Sequence, residues 1–239
     1  MHDRDSPARA ESGPGWSTLA TGTSPAQHGV RRNSFRGRRY DRHPDFITLA
    51  KRRRPDLVGI VVVDWAPLIT QGTFGPAIDL RVRFDGERHG FFAEDVRIAD
   101  VAAELLAEQS TDVAIVYFGG VDEAGHQTGP LSASYRQRLE ALDAMVGRLL
   151  GAVRGRITYA DENWLVLVTT DHGHRDNGGH GRKSDAERAI FVIANGPGTA
   201  AGVRRSGFRT VDIAPTVLDH LGVIPDPAWL FEDRTLLAK

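Results

Sequence analysis

The sequence predicts an α/β fold, a mostly parallel central sheet with helices on both faces, and three observations predict it. Four short apolar runs, Leu57 to Asp64, Asp112 to Phe118, Leu165 to Val168 and Ala189 to Ala194, have the length and continuous hydrophobicity of strands buried on both faces. Stretches with apolar residues at helical spacing alternate with them. Glycine and polar residues crowd just past two of the runs, at Gly119-Gly120 and Asp171-His172-Gly173, where a strand stops and ligands bind in open α/β sheets. Strands and helices in this alternation imply parallel pairing with both faces covered. At 239 residues, without linker, repeat or low-complexity segment, the chain fits one domain spanning 1–239.

The elements follow in order. Residues 1–11 are polar and aperiodic and read as a loose tail. Ser12-Gly13-Pro14-Gly15 has the look of a helix start, and Gly22 of its stop. Ser12 then lies at a helix N-terminus, where free N–H groups and the macrodipole favour an anion, although an ordinary N-cap is the plainer role. Between Arg31 and Arg54 nine arginines and Lys51 gather, either as a solvated face or as a basic rim drawing anionic substrates toward a cleft. Residues 31–54 and 65–93 read as substrate-side insertions, the part from 71 to 93 as a loop and hairpin. Glu94 to Gln109 carries Val96, Val101, Leu105 and Leu106 at helical spacing, with Asp95 in its first turn complementing the dipole. A helix from about Ser132 to Val153 has Tyr135, Leu139, Leu142, Met145 and Leu149 on one stripe, which reads as core packing. A turn at 195–198 and a last helix from Asp212 to about Leu221 close the chain.

Composition removes several classes of function. Thirty basic against 31 acidic residues give no pull toward nucleic acid or a membrane surface. No run approaches a membrane span, and no signal-peptide core is visible. A soluble, cytoplasmic chain is expected as written, with a periplasmic or secreted one if the natural start lies upstream. Cysteine is absent, so any metal must be held by His, Asp or Glu.

Those ligands cluster. Asp171 and His172 end a strand and are followed by His174, Asp176 and His180 within ten residues; taken alone the motif is also a polar turn with solvated histidines. Asp122 and His126 stand four apart just past another strand. With Ser12 they make a set that two metals and a phosphate would need, because two divalent cations clamp the attacking and leaving oxygens of an in-line displacement. Mixed imidazole and carboxylate ligands suit Zn²⁺ or Mn²⁺ better than Ca²⁺.

From Ser12 to Leu237 the chain resembles the alkaline phosphatase superfamily, most closely its type I phosphodiesterase/nucleotide pyrophosphatase branch. SGPGWSTLATGTSPAQHGV is similar to the nucleophile segment, VDEAGHQTGP and TTDHGHRDNGGHG to the two metal segments, and TVDIAPTVLDHLGV to the closing helix. The resemblance implies an alkaline phosphatase-like fold and a metal-dependent hydrolase of small phosphate esters or nucleotides, working through a phosphoserine. It implies Ser12 as nucleophile, Asp171 and His172 on the adjacent metal, and Asp122, His126 and His180 on the second. Asn33, otherwise a turn residue, and the Gly13 N–H would hold phosphate oxygens, while His174 and His28 would be supporting or structural. A homodimer is compatible with it.

Two departures stand out. The branch usually has threonine where this chain has Ser12, which leaves diester against monoester open. The family also begins with a strand ending in a metal-binding aspartate, and the residues before Ser12, with only Asp3 and Asp5 as carboxylates of that type, contain no such strand. The expectation is a natural start upstream of Met1 or a relative that has lost a ligand, with weak metal binding beside Ser12, poor activity and a tendency to associate until extended. The alternative is a non-catalytic metal- or phosphate-binding relative. A sulfatase reading is weaker because no formylglycine motif is present.

Overall fold

The structure, a computed structural model, describes residues 8–108, 110–204, 206–231 and 235–237. The tail residues 1–7, with Asp3 and Asp5, lie outside the described residues, but residues 8–11 are tied down. The Ala10 N–H donates to Arg182 O at 3.1 Å, and Ala8 and Ala10 are buried.

The chain opens with α1 (Ser12–Thr21) and α2 (Pro25–His28), then α3 (Phe46–Arg53) leads into β1 (Gly59–Val63). A short α4 (Pro67–Thr70), β2 (Leu80–Arg83) and α5 (Gly86–His89) follow, then α6 (Phe91–Glu108), β3 (Val113–Val116), α7 (Gly120–Thr128) and α8 (Ala133–Arg154). β4 (Val166–Thr169), α9 (Asp185–Arg188), β5 (Val192–Asn195) and α10 (Ile213–His220) complete it.

β1 is central in a three-stranded parallel sheet of order β2-β1-β3, with Val62 opposite Val82 on one side and Val116 on the other. All five residues of β1 are buried, as a strand covered on both faces requires. Because strand side chains alternate, Val61 and Val63 join Trp16, Leu19, Phe46 and Leu218 of α1, α3 and α10, whereas Val62 meets Ile98 and Ala102 of α6. Helices therefore lie on both faces, and the fold is α/β as the sequence implied.

Three expectations need correction. The 71–93 stretch forms no hairpin: residues 80–83 run parallel to β1 as an edge strand, and the alternation Leu-Arg-Val-Arg is that of an edge, with only Val82 partly covered. The strand near 189–194 pairs with β4 antiparallel, in a separate two-stranded sheet. The α8 stripe is not core, since Leu139 is exposed and only Val153 is buried in the whole helix. α8 packs against α6 and α7, a helical layer that leaves much of its girth uncovered.

His28 fastens α1 to the turn at Val30. The buried imidazole accepts from the Val30 N–H at Nδ1 (3.1 Å), so its Nε2–H donates to Thr18 Oγ1 (3.0 Å). Burial, and after it the charge of His43 and Arg39, pushes His28 down to about 3 from 6.5. Its folded-state pKa lies below the unfolded one, so the stability it contributes is complete above pH 6.5 and is lost as pH falls toward 3. In that window the neutral imidazole should cost up to about 1.4 kcal/mol per pH unit. Urea unfolding of wild type and His28→Gln at several pH values checks this. The wild type should weaken more steeply on acidification, and equal slopes would show that His28 does not titrate as described.

Candidate metal centre and nucleophile

The site gathers where α1, the start of α7 and the loop after β4 meet. Ser12 is the first residue of α1, and Glu11, not Ser12, occupies the N-cap position. The Ser12 hydroxyl is thus free of capping duty. It is buried, and Oγ lies 3.2 Å from His172 Nε2. His172 Nδ1 faces Gly173 O at 3.2 Å and donates to it, which leaves Nε2 to accept from the serine. Burial lowers the pKa of His172, keeping the ring a neutral acceptor.

Asn33 reaches the same helix end, but as an acceptor: the Gly13 N–H donates to Asn33 Oδ1 at 2.6 Å. The two groups expected to hold phosphate oxygens are therefore together and engaged with each other, which leaves the amide Nδ2 of Asn33 as the donor available to a ligand. Glu11 Oε2 accepts from the Asn33 N–H at 2.9 Å and fixes this turn. No signal in the sequence singled Glu11 out.

The histidine cluster lies beside Ser12. Asp122, in the first turn of α7, His126 one turn later, His174 and His180 each present one ligand atom, all within 4.8 Å of one another. His126 Nε2 and His180 Nε2 are 2.9 Å apart, and His174 Nε2 lies 3.0 Å from Asp122 Oδ1. His180 Nδ1 donates to Ala10 O at 2.7 Å, so its Nε2 lone pair faces the cluster. The i, i+4 spacing of a helix puts Asp122 and His126 on one face. Burial favours a neutral Asp122 carboxyl, but the imidazoles of His174, His172, His180 and His126 outweigh it and hold the group down at about 2. Gly125 is required here, because a Cβ at that position would lie 2.5 Å from His174 Nε2.

Converging imidazole nitrogens with one carboxylate and buried atoms left without aligned hydrogen bonds, Asp122 Oδ1 and His174 Nε2, fit a divalent cation of the zinc or manganese kind. His174, expected only in support, joins the cluster directly; the alternation His172-Gly173-His174 was its only trace in the sequence.

Asp171 and His172, expected to hold the adjacent metal, lie next to this cluster. Asp171 Oδ2 and His172 Nε2 are 3.5 Å apart, and the His172 ring stacks on His180 with centroids 3.8 Å apart. Asp171 Oδ2 is buried without a hydrogen bond. Burial first, and then the charge of Asp122, raises this carboxyl to about 7. A buried acid in that state is what a positive ion would stabilise.

The loop carrying these histidines is pinned by Glu187, which the sequence did not reveal. Its buried carboxylate accepts from the Arg182 N–H (2.9 Å), the Ser184 N–H (3.1 Å) and the Ser184 hydroxyl (2.6 Å). Its backbone carbonyl takes the Gly173 N–H at 2.9 Å.

Residues 64–192 match the family model described as type I phosphodiesterase / nucleotide pyrophosphatase. Among curated proteins the chain is 25% identical over 157 residues to GPI ethanolamine phosphate transferase 3 of Schizosaccharomyces pombe, covering 59% of this chain and 16% of that protein. It is 31% identical over 135 residues to the 2,3-bisphosphoglycerate-independent phosphoglycerate mutase of Natronomonas pharaonis, covering 54% of this chain and 25% of the mutase. Among solved structures it resembles a 2-O GAG sulfatase with a TM-score of 0.70 at 15% identity, over 92% of this chain and 62% of the sulfatase. The chain thus spans a quarter or less of these curated relatives, and the sulfatase likeness is one of fold.

Proposed function

Because the chain belongs to the type I phosphodiesterase / nucleotide pyrophosphatase family, we propose that it is a metal-dependent hydrolase of phosphoric esters, of phosphodiester, nucleotide pyrophosphate or phosphomonoester type, with Ser12 as nucleophile. The observation that carries the reading is the Ser12 hydroxyl, uncapped at a helix N-terminus and 3.2 Å from His172 Nε2, beside the Asp122, His126, His174 and His180 cluster.

Asp122, His126 and His180, with His174, would hold one divalent ion, and Asp171 and His172 a second beside Ser12. Such ions, Zn²⁺ or Mn²⁺, supply charge neutralisation at the phosphoryl oxygens and a lowered hydroxyl pKa. Ser12 Oγ forms the new bond to phosphorus while the ester oxygen leaves opposite it as an alcohol or phosphate. The Asn33 amide donates to a phosphoryl oxygen, and water then cleaves the phosphoserine, releasing phosphate or a phosphomonoester and restoring the serine.

Arg31, Arg32 and Arg36 flank Asn33 and are exposed, so the segment suits the electrostatic capture of an anionic substrate. The two proposed substrate-side segments also face each other across a cavity of about 620 Å³ that Arg38, Tyr40, Arg52 and Gln71 help to line. No described helix is long and apolar enough to cross a membrane.

The test is turnover of a nitrophenyl phosphodiester and a nitrophenyl phosphomonoester with Zn²⁺, with Mn²⁺ and after chelation. Metal-dependent release of nitrophenol is expected, the faster substrate giving the preference. Failure on both, in protein shown to hold metal, would reject the hydrolase. A second reading, a non-catalytic metal-binding relative, is favoured by one observation: among the described residues a single four-ligand cluster forms, with Asp171 and His172 as only a pair beside it. Elemental analysis separates the two, since two ions per chain contradict the second reading and one ion without turnover supports it.

A further inference from the structure

Away from the metal cluster, a pair of acids is buried where β1, α6 and α7 meet. Asp64 follows the last residue of β1, and Asp95 lies in the second turn of α6, not the first as its sequence position suggested. Both side chains are almost wholly inaccessible, at 1% and 2% exposure. The Gly119 N–H donates to Asp95 Oδ1 at 2.9 Å, and the Gly120 N–H donates to Asp95 Oδ2 at 3.0 Å. Gly119 N also lies 3.4 Å from Asp64 Oδ2, which brings the two carboxyls within reach of each other.

Both accept from the same Gly119 N–H, so a carboxyl oxygen of each lies close to one of the other, and two buried carboxylate anions cannot hold that spacing without a cation between them. One of them must carry a proton. Asp95 has a backbone donor on each oxygen, at the positive end of α7, which suits an anion. Asp64 has one long contact, and its Oδ1 is buried with no partner, which would be costly for an ionised group. Burial raises both carboxyls. Tyr117 and Glu123 are the other ionisable groups that interact with the pair, and neither is a cation that could hold both acids ionised.

We propose that Asp64 and Asp95 form a one-proton clamp that positions the start of α7, and through it Asp122 and His126, for metal binding. Neutral Asp64 donates to charged Asp95, and Asp95 holds the first two N–H groups of the turn. Asp122 follows Gly120 by two residues, so a shift of that turn moves the cluster's only carboxylate. The clamp also accounts for Gly120, where a Cβ would run into Asp95 Oδ2, whereas a Cβ on Gly119 would meet the Phe91 ring. Asp64 and Asp95 are positioning residues here. The role rests on the cluster being a metal site, whereas the shared proton does not.

Two measurements test it. The infrared difference spectrum of metal-free wild type minus Asp64→Asn at pH 7 should show the carbonyl stretch of a protonated carboxylic acid, the subtraction cancelling the band that Asp171 contributes to both. Calorimetric titration with Mn²⁺ should then separate the variants. Asp64→Ala, which deletes the donor, and Asp95→Asn, which turns an N–H donor toward an N–H donor, should each weaken binding by about tenfold or more. Asp64→Asn, whose amide replaces the acid O–H, should restore affinity to within about twofold of wild type. Absence of the band from that difference spectrum overturns the shared proton. The band together with unchanged Mn²⁺ affinity in Asp64→Ala overturns the positioning role. A wild type that binds no Mn²⁺ overturns the metal reading and the positioning with it, while the band still reports on the pair.

Discussion

Turnover of a nitrophenyl phosphate ester is expected to fall by about 10⁴- to 10⁶-fold when Ser12 is replaced by alanine, the scale seen when a nucleophile is deleted. The change removes one oxygen. That oxygen contacts only His172 among the hydrogen bonds of the described residues, and it caps no helix. The fold should therefore lose no more than about 1 kcal/mol. The ion of the Asp122 cluster should be retained, because that cluster does not use Ser12. A drop in turnover with that ion and the thermal midpoint preserved assigns the loss to chemistry. Acid quenching during turnover should trap phosphate on the wild-type chain and none on Ser12→Ala. If the variant keeps more than about a hundredth of wild-type activity, Ser12 is not the nucleophile.

Asp122→Asn should have the next largest effect, on metal. Asp122 is the sole carboxylate in a cluster with three imidazoles, and those imidazoles hold it ionised near the bottom of the carboxyl range. An amide is neutral and offers one acceptor oxygen, so the variant keeps the shape and loses the charge that a divalent ion would meet. Affinity for Zn²⁺ or Mn²⁺ should fall by more than about 100-fold, beyond the range of changes behind the ligands. Added metal should raise the thermal midpoint of the wild type and leave that of Asp122→Asn almost unmoved, since stabilisation follows the ratio of free metal to Kd. An equal rise in both proteins would place the ion elsewhere.

The parts of this site that were legible in the sequence are those whose signal is local. A β-branched run stopped by Asp171-His172-Gly173, and Asp122 four residues ahead of His126, need only strand ends and helical spacing to be noticed. His174 needed more. It sits two residues past His172, and only the turn pinned by Glu187 brings it against Asp122. Asp95 was legible as an acid near a helix start, but its partners, Gly119 and Gly120, are more than 20 positions away. The Leu80–Arg83 strand was misread for the same reason: alternation marks an edge, but whether the edge pairs parallel or antiparallel depends on where the crossover carries it. In α8 the period identified the helix and said nothing of which face another layer would cover.

The separations within the site also bear on how the chain comes to hold it. Asp122, His126, His174 and His180 belong to one continuous stretch from α7 to the loop after β4, so the cluster can draw together once that stretch has been made. Ser12 meets His172 across 160 positions, and Ala10 meets His180 across 170. Closing so wide a loop costs more entropy than gathering the cluster, and contacts of this kind form late. Ser12 leaves the ribosome before the cluster residues and docks after them. A nascent or partly folded chain could capture its ion well before it could attack anything, so metal uptake and catalytic competence should mature as separate events.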